Sequence, residues 1–333
     1  LSATRGGAVR EWPGRTLGAK YRVLRLLGRG GMGGVYEAEG PEGARFAVKI
    51  LDPEWAKDEV ATARFAREAS AASDVASEHI VRVLEGGTED GCPYLVMELL
   101  RGEDLGRRLR QRRHLELDES LHVVEGVLEG LVAAHAAGIV HRDLKPDNVI
   151  LVEHGGEADF AKIVDFGMSK LDRPKGSTAP LALTRKGVVL GTPLYMSPEQ
   201  ARAAEDVDAR ADLFSVGAIL FECLTGRPPF TGETYEQILL RICMEDAPDV
   251  RRWAPEVPDV LAAFVARALA RERDERFTSA DEMLAALRGI GRVGAGDERR
   301  ARRRARTRVV VAAVIAMLAG AVVTLLAVAL AGK

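Results

Sequence analysis

Gly28, Gly30 and Gly33 form a G-x-G-x-x-G run. Lacking Cβ atoms, such a turn lets backbone N–H groups come close to phosphate oxygens. Dinucleotide folds use the same spacing, but there a helix follows the glycines directly. Here Val35, Tyr36 and Ala38 continue in strand-like alternation, so the loop joins two strands and should act as a lid. Lys49 lies inside the apolar run Phe46-Ala47-Val48-Lys49-Ile50. Taken alone it reads as an edge-strand lysine facing solvent, because lysines are rarely buried unless paired. Nineteen residues on, Arg67-Glu68 lies in a helical stretch, and its carboxylate offers a way to hold the lysine against phosphates.

The most specific segment is His141-Arg142-Asp143-Leu144-Lys145-Pro146-Asp147-Asn148-Val149-Ile150. It matches the H-R-D-L-x-x-x-N pattern; Asp165-Phe166-Gly167 and Ser197-Pro198-Glu199 follow in the order of D-F-G and A-P-E. Over roughly residues 21–288 the sequence resembles the eukaryotic-like protein kinases, and specifically their bacterial serine/threonine branch. Lys145, two residues after Asp143, favours the serine/threonine over the tyrosine class.

The resemblance implies a set of roles. Phosphoryl transfer is mainly positioning plus neutralisation of charge on the moving group. Asp143 is then the base that accepts the substrate hydroxyl proton, and Lys145 steadies the γ-phosphate of ATP. Asn148 and Asp165 supply oxygen ligands for Mg²⁺, a hard cation. Gly28, Gly30 and Gly33 cover the phosphates, and Lys49 holds the α- and β-phosphates while paired with Glu68. Leu27, Val35, Ala47 and Ile150 sandwich the adenine, Met97 is the gatekeeper, and the backbone of Glu98 and Leu100 meets the adenine edge. Structural roles fall to the Glu199–Arg276 ion pair, to Asp212 beneath the catalytic loop, and to stacked His141 and Phe166. Thr184, with Ser177 and Thr178 as alternatives, is the expected autophosphorylation site, its phosphate drawing Arg142 and Lys170 together. Thr192 is expected near Asp143 in substrate positioning.

Two departures stand out. Ser77-Glu78-His79 replaces the usual His-Pro-Asn, which leaves Glu59 as an alternative to Glu68, and Glu153–Phe160 reads as a longer turn than usual. A membrane-tethered pseudokinase scaffold normally lacks one of Lys49, Asp143, Asn148 and Asp165, all present here. A small-molecule phosphotransferase lacks the long activation loop, the Pro-Glu motif and the arginine brace.

The elements that must position these residues read as α+β, the two-lobed arrangement of a protein kinase. Short apolar runs at Tyr21–Leu27, Gly34–Ala38, Phe46–Leu51, Ile80–Leu84 and Pro93–Met97 predict strands, with a helix around Ala61–Ser73. Beyond Gly102 the period turns helical. Leu121, Val124, Leu128, Leu131 and His135 share a face, with Asp118 placed to cap and Gly138 to stop the helix. Ala211–Leu224 is apolar on nearly every side and ends at Gly226. The expected division is a loose leader over 1–20, a catalytic domain over 21–288, a basic linker over 289–308 and a membrane helix over 309–332.

Charge and composition agree with that division. Of a net −2, residues 297–308 carry +5 and Lys333 one more, so residues 1–296 sum to −8. An acidic body with one basic strip is no nucleic-acid binder, which spreads positive charge over a docking face. Residues 309–332 contain no charge and only Thr324 as a polar residue, long enough to cross a bilayer. Arginines before such a span place the flank in the cytoplasm and attract anionic headgroups. The sequence therefore predicts a single-pass membrane protein with a cytoplasmic catalytic domain, protein Ser/Thr substrates, and self-association for autophosphorylation. No signal peptide is read at the N-terminus, and Cys92, Cys223 and Cys243 are too scattered for a disulfide framework or zinc site.

Overall fold

A computed structural model describes residues 11–59, 61–63, 65, 75–166, 193–204 and 206–290. The chain divides into a compact unit, Leu1–Ala286, and a C-terminal one, Leu287–Lys333, of which only 287–290 are described. The first unit begins with an antiparallel sheet of β1 (Thr16–Leu17), β2 (Tyr21–Arg29), β3 (Gly33–Glu39), β4 (Arg45–Leu51), β5 (Val83–Glu89) and β6 (Cys92–Glu98). Their order is β1-β2-β3-β4-β6-β5. Side chains alternate across a strand. Val48 and Ile50 of β4, with Tyr94 and Val96 of β6, enter a core with Trp12, Leu17 and Tyr21. Ala47 and Leu51, with Leu95 and Met97, enter a second core that includes Met32, Ala61, Phe65 and Val81. Lys49 has the parity of Ala47 and Leu51, so it leaves the sheet on the second face.

After residues 99–101 the chain enters the helical lobe. A small sheet of β7 (Gly102–Asp104), β8 (Val149–His154) and β9 (Glu157–Ile163) borders α1 (Leu105–Arg112) and α2 (Leu117–Ala136). Then come α3 (Pro198–Ala201), α4 (Arg210–Thr225), α5 (Tyr235–Met244) and α6 (Asp259–Ala268). Thirteen of the sixteen residues of α4 are buried, which makes it the axis of this lobe. It ends where Gly226 takes φ +72°, a left-handed cap that costs glycine little. The two-lobed kinase architecture predicted from the motifs is the one observed.

Several local expectations are corrected. Residues 11–20 are no loose leader: Trp12 and Leu17 are 1% and 0% exposed, and β1 pairs with β2. The apolar pair Ile80-Val81 does not open a strand. Ile80 instead makes an isolated parallel bridge to Ile163, and β5 begins at Val83. Its Gly86-Gly87 pair erases the alternation by which a strand is recognised. Glu116, not Asp118, precedes α2, and Asp118 sits in the first turn, where a carboxylate favours the helix dipole. The turn expected over Glu153–Phe160 is a hairpin whose Gly155 and Gly156 both have positive φ, the requirement of a tight two-residue connection. Of the helix expected at 61–73, residues 61–63 and 65 are helical and 66–73 lie outside the described residues. Among the described residues no helix is long and apolar enough to cross a membrane; the basic strip and residues 309–332 also lie outside them.

Candidate active site

The catalytic loop is hung from α4. Asp212, fully buried, accepts hydrogen bonds from the backbone N–H groups of His141 and Arg142, each at 2.8 Å. His135 of α2 donates its Nε2–H to the same carboxylate at 2.9 Å. Burial opposes the charge most strongly, but these donors together hold the Asp212 carboxyl below the usual carboxylate range. The anchorage fixes a costly conformation: Arg142 has φ +67°, and a bulky residue holds that region only when its surroundings over-determine it.

His141 is no proton shuttle. Its Nε2 lies 3.0 Å from the Val164 carbonyl, which only accepts, so that nitrogen carries hydrogen. Its Nδ1 accepts from the Asp143 N–H at 3.2 Å. The neutral ring is completely buried against Phe166, centroids 4.7 Å apart and planes tilted by 55°. It therefore ties the start of the catalytic loop to the strand end that carries Asp165.

Three short links gather the polar residues predicted for chemistry. Lys145 Nζ donates to Asp143 Oδ2 at 2.7 Å. Asn148 donates its amide to the Asp143 carbonyl at 2.8 Å, leaving Oδ1 as its remaining acceptor. Lys49 Nζ, from the sheet, lies 2.8 Å from Asp165 Oδ1, from the helical lobe. Asp165 takes φ +62°, which turns it away from the direction of β9. Glu68, the expected partner of Lys49, lies outside the described residues, as do Lys170, Thr184 and Thr192. Arg142, expected to meet a phosphorylated loop, donates to Val207 O at 3.3 Å.

The apolar wall is set by register. Ala47 pairs directly with Met97, and Val35 with Lys49. Ala47, Met97, Val35 and Leu100 share the second core; Ile150 is half-buried on β8, paired with Asp104 and Lys162, and Leu27 is 40% exposed on β2. The Glu98 N–H is spent on the Arg82 carbonyl at 3.0 Å and its side chain on Lys162 at 2.8 Å, so its carbonyl is the group left for an adenine edge. Gly28 is paired with Val35 at the end of β2, and Gly30 donates its N–H to Gly33 O at 2.8 Å, closing the loop on itself. A Cβ on Gly33 would stand 2.0 Å from Ile50 O, so only glycine lets the lid approach β4.

Below the site, Arg276 and Glu199 form a bidentate pair with both distances 2.8 Å. The remaining Arg276 donors reach the carbonyls of Ala270, Arg271 and Arg210. Burial works against the Glu199 charge, but Arg276 holds its carboxyl below the usual range. Other supports were not foreseen. Gln200 closes a capping box with Ser197 and donates to Arg142 O at 2.6 Å; the S-x-x-Q spacing is a signal that could have found the cap. Tyr195 donates its hydroxyl to Glu222, and burial raises both groups. Arg108 joins Glu103, Glu119 and Asp159, tying α1 and α2 to the hairpin. No local pattern announces either cluster. Burial likewise raises the Cys223 thiol, as befits a core cysteine.

The donor set fits a divalent ion bound together with a nucleotide. Among the described residues no group of three or more His, Cys, Asp or Glu could hold a metal. Mg²⁺ needs no such cage, since one or two protein oxygens plus substrate phosphates complete its shell. The Asp165 carboxylate and the Asn148 amide oxygen are groups of that kind.

Comparison with known proteins agrees with this geometry. The sequence matches the protein kinase domain family over residues 21–286. The chain belongs to that family. It is 38% identical to serine/threonine-protein kinase pkn3 of Myxococcus xanthus over 84% of this chain and 51% of that protein. It is 35% identical to serine/threonine-protein kinase PrkC of Bacillus subtilis over 83% of this chain and 41% of that one. The kinase domain of PknI from Mycobacterium tuberculosis superposes with a TM-score of 0.63 at 28% identity, covering 83% of this chain and 97% of that one. The chain thus carries a protein kinase domain of the bacterial serine/threonine group, which implies ATP as substrate. It spans about half or less of the length of these curated relatives.

Proposed function

We propose that the chain transfers the γ-phosphate of ATP to Ser or Thr hydroxyls of proteins, its own activation loop among them, at a membrane. The observation that carries this reading is a Lys49–Asp165 pair bridging the sheet and the helical lobe beside a cluster of Asp143, Lys145 and Asn148, each held by links of 2.7–2.8 Å, with the Val164 N–H on the Asn148 carbonyl at 3.0 Å joining the two. Nucleotide-bound Mg²⁺ supplies charge neutralisation at the moving phosphoryl group. Lys49 orients the α- and β-phosphates, and Asp165 and Asn148 present oxygens to the metal. With Oδ2 held by Lys145, Asp143 receives the hydroxyl proton on Oδ1 while the substrate oxygen is aligned with phosphorus. Lys145 then shares its ammonium between Asp143 and the γ-phosphate.

The membrane part of the reading rests on 24 uncharged residues, 309–332, preceded by seven arginines within 297–308. It places the kinase domain in the cytoplasm with the basic strip against anionic headgroups. Self-association brings Thr184 of one copy to the cleft of another. Incubating the full chain with radiolabelled ATP and Mg²⁺, followed by phosphopeptide mapping, should yield phosphate on Thr184, and Thr184→Ala should lower activity. An unmodified loop and unchanged activity would overturn the autophosphorylation. The full chain should need detergent for solubility and a 1–296 truncation should not; equal solubility of both would remove the anchor.

A further inference from the structure

Among the described residues Lys162 is the one buried lysine, 6% exposed. A lysine gives up water only for a partner. Its Nζ donates to Oε1 of Glu98, the last residue of β6, at 2.8 Å. The same oxygen accepts the Arg82 N–H at 2.9 Å, and the Glu98 N–H donates to Arg82 O at 3.0 Å. The Glu98 side chain is thus held from two directions, by the loop before β5 and by β9 of the helical lobe.

The contact closes a circuit. Ile163, next to Lys162, donates to His79 O at 2.8 Å and accepts the Val81 N–H at 3.0 Å, which lays the loop along β9. Arg82 follows in that loop and holds the Glu98 backbone; Lys162 returns from the Glu98 carboxylate to β9. Register puts the circuit beside the base. Lys162 stands directly opposite Ile150 in the pairing of β8 with β9, and residues so opposed share a face. Ile150 is the residue expected against adenine, and Glu98 is the residue whose carbonyl is left for the adenine edge. A pair that merely held the lobes together would have no need to end there.

We infer that Lys162 is a positioning residue for the nucleotide base: from β9 it pins the Glu98 side chain and so sets the direction of the Glu98 carbonyl toward the 6-amino group of adenine. Residues 99–101, which follow, belong to no strand, so the orientation of that peptide depends on how Glu98 itself is held. Without the ammonium, the Glu98 carboxylate, 27% exposed, turns to water and keeps only the Arg82 N–H. The carbonyl then loses its fixed direction, and the hydrogen bond that distinguishes adenine from a purine without the amino group is weakened. The inference rests on the reading of the site as one that binds ATP.

The test titrates the full chain with Mg²⁺·ATP and with the Mg²⁺ complex of purine riboside triphosphate, which lacks only the 6-amino group. The wild type should bind ATP roughly three- to tenfold more tightly, the range for one net hydrogen bond. Lys162→Met keeps an apolar stem and loses the donor. It should weaken ATP by that factor and the analogue by less than about twofold. Lys162→Arg, which keeps a donor for the carboxylate, should retain most of the preference. Glu98→Ala removes the contact from its other end and should abolish the preference as well, with no further change when Lys162→Met is added. Should Lys162→Met fail to fold, Glu98→Ala decides the matter by itself. A wild type without preference, equal weakening of both nucleotides, or a preference that survives the variants overturns the inference, and phosphoryl transfer retained in the same samples leaves the proposed function standing. A selective loss in a chain that transfers no phosphate supports the role of Lys162 and overturns that function.

Discussion

Replacing Asp143 with Asn should lower phosphoryl transfer by about a hundred- to ten-thousandfold, the range for losing a positioned general base, and leave Mg²⁺·ATP binding largely unchanged. The separation follows from which atoms are engaged. Asn148 bonds to the Asp143 backbone carbonyl, which the substitution keeps. Only the Asp143 carboxylate changes, and with it the salt bridge from Lys145, whose partner is 43% exposed. A pair so open contributes at most about 1 kcal/mol to stability. Radiolabelled phosphate incorporation into a protein substrate measures the first effect, and nucleotide titration by calorimetry the second. Equal transfer by both proteins would remove Asp143 from the reaction.

Arg276→Met should cost about 3–5 kcal/mol of stability, the range for breaking a buried pair from one side, and lower the melting temperature by roughly 10 °C for a domain of this size. The cause lies in what stays behind: a Glu199 carboxylate 8% exposed and three carbonyls deprived of their donor. The pH dependence should change sign. In the wild type Arg276 lowers Glu199, so its stabilising contribution is complete above the unfolded value of about 4.3 and is lost as pH falls through the lower folded one. Without Arg276, burial is opposed only by the hydrogen bonds from Ser197 and the backbone; Glu199 should rise, and the variant should regain part of its loss on acidification from neutral pH. Thermal melts of both proteins across that range decide it. A melting temperature unchanged by the substitution would mean the pair braces nothing. Adding Glu199→Leu to Arg276→Met should recover part of the loss, since an apolar pair leaves no stranded charge.

Particular residues show where reading the chain succeeds and where it stops. The segments 141–150 and 165–167 are legible because the chemistry needs fixed residue types at fixed local spacing. The strands from Tyr21 to Leu51 are legible because one alternates by two and the others are short apolar runs bounded by glycines. Strand β5 is not, since Gly86-Gly87 carries no pattern and the apolar Ile80-Val81 beside it belongs to another contact. Trp12 and Leu17 look like parts of a leader until the sheet provides a face to bury them. The hairpin at Gly155-Gly156 is invisible as strand pairing until both glycines are seen at positive φ.

By itself, then, the sequence determined the inventory: a base, a lysine beside it, an amide, a second carboxylate, a strand lysine and a glycine lid, each in a local motif. It also determined the long uncharged run that follows seven arginines. Tertiary structure alone decided how these groups meet. Lys49 and Asp165 are 116 positions apart and touch because strand parity turns the lysine into the cleft and a left-handed residue turns the aspartate toward it. The same holds for His135 beneath the catalytic loop and for the loop residue His79 against β9, whose partners lie 77 and 82 positions away. Contacts between distant segments depend on packing and backbone direction, and neither leaves a periodic trace in the order of residues.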